Sequence, residues 1–483
     1  MIRVICNQET FVYNAYHMVK AFYPSETVAS SVDEKASNYV TVEFAEDGTD
    51  GQKEAMIEIA DRQTNDMPAE KSAMKKYLDR MLYKKLSEQS GRTLAWGILM
   101  GVRPTKIAMR KLEEGMTQET FVPWFQKENL VSEEKAHLAW QIAGREKKLL
   151  DQLDYENGYS LYVGIPFCPT VCSYCSFSSG ALGDWEHRVE DYLAALMKEL
   201  EAIAKMSEGR KADTIYMGGG TPTTLNADQL DRLLTCIDRH FVREGLLEFT
   251  VEAGRPDSIT KEKLMVLRNH DISRISINPQ TMKQETLDLI GRHHTVQQTI
   301  DSFYLARELG FDNINMDLIV GLPGESLSDV ADTMEVIRKL APDNLTVHSL
   351  AIKRAARLNI QRERYQDFEI VNTADHIALT SKVAEEMGLF PYYLYRQKNM
   401  AGNFENVGYA APGKAGVYNV LIMEEKQSIV ACGAGASTKR VWVQPNPDGT
   451  HRIERAENVK DVAQYITRID EMIERKSRLF TKE

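Results

Sequence analysis

The 483-residue chain has no run of about 18 consecutive apolar residues, so no helix is expected to span a membrane. Its first residues, MIRVICNQETFVYNAYHM, lack a basic segment followed by an apolar core, and no secretion signal is expected. Positive charge is not in excess. The net charge of −11 argues against general nucleic-acid binding and leaves room only for a local basic patch. Cysteine is scarce: six residues in a chain of this length make no disulfide framework. Cys6, Cys236 and Cys432 have no partner at C-x2-C or C-x3-C spacing, which disfavours structural zinc, and they are expected to be buried thiols. What remains is an ordinary globular composition, 43% hydrophobic, at a length compatible with two or three domains. A cytoplasmic protein is expected.

The other three cysteines stand together. Cys168, Cys172 and Cys175 lie in C-P-T-V-C-S-Y-C. Three thiolates this close can hold three irons of a cubane [4Fe–4S] cluster and leave the fourth iron open. An open iron can bind a small molecule, which separates a catalytic cluster from a four-cysteine electron carrier. The C-x3-C-x2-C spacing resembles the signature of the radical S-adenosylmethionine (SAM) enzymes. In that resemblance the open iron takes the amino and carboxylate groups of SAM.

The chain reads in three parts. Residues 1–155 form an N-terminal α+β domain. Alternating runs at Tyr39–Phe44 and Ala55–Ile59 predict two strands, and charged helical stretches follow at Ala69–Ser87 and Glu133–Gln152. No catalytic motif is visible there; Arg103 and Lys106 are read either as an anion site at a helix start or as ordinary surface charge. Residues 156–352 alternate strand and helix. Apolar runs at Ser160–Gly164, Thr214–Met217, Glu248–Glu252, Arg274–Asn278, Asn315–Val320 and Leu345–Leu350 are separated by helical patterns such as Val189–Lys205 and Asp228–His240. This repetition predicts an α/β fold with parallel strands, a partial (β/α)6 barrel open on one side. Residues 353–483 form a C-terminal α+β extension that ends in an amphipathic helix over Val459–Arg478.

In such sheets ligands sit beyond the carboxyl ends of the strands. The cysteine loop follows the first strand. Gly218-Gly219-Gly220-Thr221-Pro222-Thr223 follows the second, where glycines let backbone approach a ligand. Glu252 ends the third strand, Gln280 follows the fourth, and Asp317 lies in the fifth. A carboxylate beside a cleft can accept ribose hydroxyls, and Arg292 can pair with a carboxylate through its planar fork. Each of these alone reads equally well as a structural cap or ion pair; their grouping around one cluster favours a binding site. In the last part, Lys353–Arg357 could receive carboxylate groups or be a solvated helix face. Tyr392, Tyr393, Tyr395 and Arg396 could flank a flat ring system or pack in a core.

Tyr162–Cys168, the GGGTPT loop, Arg274–Gln280 and Asp317–Gly324 together resemble the radical SAM oxygen-independent coproporphyrinogen III oxidase (coproporphyrinogen dehydrogenase) family. Phrases such as RISINPQTM, HSLAIKRA and PYYLYRQKNMAGNFENVGY are similar to its HemZ branch. The resemblance implies that Cys168, Cys172 and Cys175 ligate the cluster, and that Tyr162, Gly219, Gly220 and Thr221 line the methionine moiety of SAM. It implies polar SAM contacts at Glu252, Gln280, Arg292 and Asp317, and backbone contacts at Tyr174 and Ala351. One or two SAM molecules are implied, with a tetrapyrrole substrate, a reduced flavodoxin or ferredoxin as electron donor, and a monomeric enzyme. The implied reaction is oxidative decarboxylation of two propionates of coproporphyrinogen III to vinyl groups, through a 5′-deoxyadenosyl radical.

The departures are equally specific. The better-characterised oxidase branch has a cysteine where this chain has Phe177, and a histidine where it has Gly164. The related haem-chaperone branch carries H-N-x-x-Y-W, and here Glu405 stands where that motif has histidine. His293 and His294 are expected to face substrate or solvent. Two alternatives stay open: a haem-binding, chaperone-like protein on the same barrel, and a radical SAM enzyme acting on another substrate.

Overall fold

The computed structural model describes the chain apart from residues 46–52, 63–66, 102, 156, 178, 354–355, 366, 398–399, 447–450 and 481–483. The chain forms two compact units, Met1–Gln141 with Arg396–Glu405, and Ile142–Tyr395 with Asn406–Glu483.

In the first unit, alternation of apolar residues makes a half-buried sheet. β1 (Ile2–Cys6), β2 (Val28–Val32), β3 (Asn38–Ala45) and β4 (Lys53–Asp61) lie in the order β2-β1-β3-β4. Val40 and Val42 of β3 oppose Ile59 and Ile57 of β4, and all four are buried. The helices Glu9–Phe22 and Lys71–Ser90 supply Met18, Val19, Phe22, Leu78, Leu82 and Leu86 to the same core. β3 and β4 are the two strands that the alternation predicts. β1 and β2 escape it: β1 is five residues long, and β2 (VASSV) buries no position fully.

In the second unit, six strands fall on the six predicted runs. They are β5 (Gly158–Ile165), then, past the short pair β6 (Phe167–Cys168) and β7 (Gly180–Ala181), β8 (Lys211–Gly219), β9 (Glu248–Glu252), β10 (Arg274–Ser276), β11 (Ile314–Val320) and β12 (Asn344–Ser349). Each is parallel to the next. Crossover helices such as Val189–Met206, Ala227–His240 and Leu327–Leu340 bury their apolar faces. Capping boxes at Asn226, Thr295 and Ser326 fix where three of the helices start, each cap stabilising by about 1 kcal/mol.

The sheet is larger than six strands. β13 (Phe390–Tyr395), β14 (Asn406–Ala410), β15 (Ile429–Cys432), β16 (Ser437–Pro445) and β17 (His451–Glu457) complete the order β13-β14-β12-β11-β10-β9-β8-β5-β15-β16-β17. β15 continues the parallel set beside β5. Among the described residues the two ends of the order do not pair, so the barrel is partial. The expected single closing helix is two, Val462–Thr467 and Ile469–Phe480, broken at Arg468. Among the described residues no helix is long and apolar enough to cross a membrane.

Candidate active site

β5 ends at Ile165, and the chain enters the cysteine loop at once. The β6–β7 pair, Phe167 opposite Gly180 and Cys168 opposite Ala181, closes the neck of a loop that contains all three cysteines. The loop is tied down from outside: Ser173 N donates to Ile290 O at 2.9 Å, Thr170 Oγ1 to Gly291 O at 3.1 Å, and Leu358 N to Ser173 O at 2.9 Å. Burial pushes the Cys168 and Cys175 thiols up, and the neighbouring thiols push further, so the sulfurs feel one another. The Ser179 hydroxyl lies beside Cys168 and Cys175 and works against that rise at both sulfurs. Among the described residues no three Cys, His, Asp or Glu side chains are gathered as a single-ion site. Three thiols gathered on one loop of eight residues, one of them buried and two half-buried, form a donor set that fits an iron–sulfur cluster, whose iron deprotonates its thiols.

The second loop is bound directly to the first. Gly220 N donates to Ile165 O and Thr221 N to Phe167 O, both at 2.7 Å. A Cβ at Gly220 would stand 2.5 Å from Phe167 O, so this contact requires glycine, and Gly219 beside it has φ +108°. Thr221 Oγ1 reaches Cys168 Sγ at 3.6 Å. Tyr162, on β5, stacks on Tyr216 and Tyr418 with ring centroids 6.2 and 6.3 Å away. Tyr216 donates its hydroxyl to Glu252 at the end of β9. Burial pushes the Glu252 carboxyl up to about 7; Asp317 adds to this, while the Tyr216 bond, Arg274 and Gly219 N oppose it.

Asp317 lies in the middle of β11. Burial works to raise its carboxyl, but His348 and the Asn315 Nδ2 bond at 2.7 Å outweigh that and hold it below the usual range. Gln280 follows β10 in the left-handed region at φ +70°, a conformation rare outside glycine, and is fixed there by bonds to Asp317 O and from Ile319 N. Arg292 is buried. Its Nη2 donates to Gly254 O at 2.7 Å and Asn278 O at 2.6 Å, its Nη1 to the Tyr174 hydroxyl at 3.1 Å, and its Nε has no partner. The fork expected to meet a ligand carboxylate is thus largely engaged by backbone carbonyls at the ends of two strands. Ala351 stands two residues beyond β12.

Other expected residues lie elsewhere. Tyr392 and Tyr393 are packed in the core, while Arg396 belongs to the first unit, where it bonds Leu99 O and Asn403. His294 is fully buried without a partner for either ring nitrogen, and burial pushes it down to about 3; the expectation that it faces substrate or solvent is corrected. His293 is exposed. In the basic stretch Lys353–Arg357, Arg354 and Ala355 lie outside the described residues, and Lys353 sits over the exposed Phe177 ring at 6.0 Å. A Cβ at Gly164 would stand 3.2 Å from Cys432 O, a tight contact beside β15. Glu405 is buried in the first unit against Lys135 Nζ at 2.8 Å and Trp96 Nε1 at 2.7 Å. Three residues escape sequence reading: Tyr216, Tyr418 and Arg255, the last buried with its guanidinium against the cysteine loop. The rule of strand carboxyl ends points at Arg255, three residues past Glu252, but nothing in its neighbours singles it out.

This geometry, a three-cysteine loop at the carboxyl end of the first strand of a partial parallel barrel, is that of the radical SAM superfamily, whose family model matches residues 162–337. The chain is 40% identical over 470 residues, covering 95% of itself and 92% of the relative, to the oxygen-independent coproporphyrinogen-III oxidase-like protein HemZ of Bacillus subtilis (strain 168). It is also 38% identical over 196 residues to the heme chaperone HemW of the same organism, covering 40% of itself and 51% of that protein. The oxygen-independent coproporphyrinogen III oxidase of Escherichia coli (strain K12) is 33% identical over 196 residues, 41% of this chain and 42% of that one. The solved structure of the E. coli oxidase HemN shares the fold, with a TM-score of 0.52 at 24% identity, over 66% of this chain and 70% of that one.

The protein is thus a radical SAM oxidoreductase, of a superfamily that uses a [4Fe–4S] cluster and SAM. Within that class it belongs to the HemZ family of oxygen-independent coproporphyrinogen-III oxidase-like proteins.

Proposed function

We propose that the protein carries out oxygen-independent oxidative decarboxylation of coproporphyrinogen III, turning two propionates into vinyl groups and giving protoporphyrinogen IX. The observation that carries this reading is the near full-length likeness to an oxidase-like protein, together with a cysteine loop bonded directly to the Gly219–Thr221 loop. When bound, cluster and SAM supply a hydrogen-abstracting group. Cys168, Cys172 and Cys175 hold the cluster. Tyr162, Gly219, Gly220 and Thr221 line the methionine end of SAM, Glu252, Gln280, Arg292 and Asp317 meet its polar groups, and Tyr174 and Ala351 contact it through backbone. Arg292 acts through Nε and by holding Gly254 O, Asn278 O and Tyr174 in place. Residues 156–352 carry the chemistry, residues 353–483 cover the substrate, and residues 1–155 form a separate domain. A monomer in the cytoplasm, supplied with electrons by reduced flavodoxin or ferredoxin, completes the reading.

The likeness to heme chaperones favours a second reading, haem binding. Stable haem needs an axial ligand, and Glu405, where the chaperone motif has histidine, is buried against Lys135 and Trp96. The oxidase reading therefore expects weak, non-stoichiometric haem binding. Titration with haem, followed at the Soret band, checks this; a sharp one-to-one endpoint at low-micromolar affinity or tighter favours the chaperone reading.

A further inference from the structure

A buried cation meets the cysteine loop. Arg255 follows β9, and is 3% exposed. Its Nη1 donates to Thr170 O at 2.9 Å and lies 3.7 Å from Cys172 Sγ, within hydrogen-bond reach of sulfur. Its Nη2 donates to Thr170 Oγ1 at 3.0 Å. On its other edge, Nε and Nη2 grip Asp257 at 3.0 and 2.8 Å. The backbone is fixed as well: Ser258 Oγ donates to Arg255 O at 2.7 Å, and Lys263 Nζ bonds both Ser258 O at 2.9 Å and Thr223 O at 2.6 Å, tying the turn to the end of the glycine loop. Burial works to raise the Asp257 carboxyl, but Arg255 outweighs it and holds the carboxyl below the usual range, so the pair is ionised.

A guanidinium costs several kcal/mol to bury unless it is paired. This one is paired with a single carboxylate on one edge, and its other edge faces a neutral carbonyl, a hydroxyl and a sulfur. Such an arrangement places a charge-assisted N–H donor at a thiolate. Hydrogen bonds to cluster sulfurs and nearby charge set the reduction potential of an iron–sulfur centre.

We propose that Arg255 is a positioning residue that tunes the cluster: it donates to the Cys172 sulfur, holds the Thr170–Cys172 turn, and stabilises the reduced cluster, with Asp257 moderating its charge. The proposal rests on the assignment of Cys172 as a cluster ligand. Reduction adds one electron, supplied by a mediator dye, and a cation at the sulfur favours the more negative, reduced state. Arg255 therefore raises the potential, and Asp257 lowers it.

The test is a potentiometric titration of the reconstituted full-length protein, with the reduced cluster read by electron paramagnetic resonance and iron and sulfide content measured beside it. Arg255→Met is expected to cut the reduced-to-oxidised ratio at a fixed potential about tenfold, a downward shift of about 59 mV for a one-electron couple. Arg255→Lys, which keeps the charge but not the fork, is expected to fall between the two. Asp257→Asn is expected to shift the potential upward. A purely structural role moves iron content without opposed shifts. Full iron with unchanged potentials, or shifts of one sign in Arg255→Met and Asp257→Asn, overturns the proposal. Should Arg255→Met fail to fold, Asp257→Asn decides: an upward shift supports the proposal, an unchanged or lower potential sinks it. Full iron content in Cys172→Ala refutes the ligand assignment instead.

Discussion

At the scale of single residues, the site is governed by charges held in a dry interior. Glu252 is the clearest case. It is faced by Tyr216 of β8, Tyr162 of β5, Asp317 of β11, Arg274 of β10 and Tyr418, and burial dominates to set its carboxyl near 7. The sign follows: a folded-state value above the ordinary 4.5 means that ionisation opposes folding, so this group's contribution to stability is full below about 4.5 and is lost as pH rises through about 7. In its proposed role as an acceptor for SAM, the carboxylate is fully ionised only above that range. SAM affinity, measured by calorimetry on reconstituted protein, is therefore expected to rise between pH 6 and 8, and the rise is expected to vanish in Glu252→Gln. The three cysteines and the polar strand ends are legible in sequence because their residue types are chemically unusual at those places. Arg255 and the Tyr162–Tyr216–Tyr418 stack are not, because arginine and tyrosine are common and only the folded distances show what they meet. Glu405 was legible as a departure from a motif; its partners Lys135 and Trp96, far away in sequence, were not.

At the scale of elements, the C-terminal helices are held by a buried polar cluster. Lys476, on Ile469–Phe480, is fully buried with its Nζ 2.5 Å from Glu199 Oε1 of Val189–Met206. Tyr465, Asn458 and Gly433 N also bond the Glu199 carboxylate. Gly433 follows β15, so the cluster fixes the strand that flanks β5. Lys476→Met leaves Glu199 buried and uncompensated and is expected to cost about 3–5 kcal/mol, while adding Glu199→Gln is expected to recover part of it; chemical denaturation of both variants checks the pair. In the first unit, Asp79 joins helix Lys71–Ser90 to Asn14 of helix Glu9–Phe22, and burial pushes its carboxyl up to about 6. Stability from this group is present below its ordinary 3.8 and is lost as pH rises through about 6. Asp79→Asn is expected to stabilise by roughly 1–3 kcal/mol at pH 8 and to have little effect at pH 4, read as the thermal midpoint at the two values. The regular strand–helix alternation made the six barrel strands legible. β15 to β17 were missed because they join the sheet through the pairing of β15 with β5, which depends on long-range contact and leaves no period in the local sequence.

At the scale of the whole molecule, a partial parallel barrel gathers loops from successive strand ends at one cysteine loop, and the oxidase reading asks these loops to aim a radical at a propionate. The claim that the propionate β-carbon is the site of attack is tested directly by coproporphyrinogen III deuterated at those carbons, incubated under anoxic conditions with the reconstituted protein, SAM and a reductant. The account predicts that mass spectrometry finds deuterium in 5′-deoxyadenosine and protoporphyrinogen IX accumulating beside it. Cleavage of SAM to undeuterated 5′-deoxyadenosine, with coproporphyrinogen III recovered intact, contradicts it.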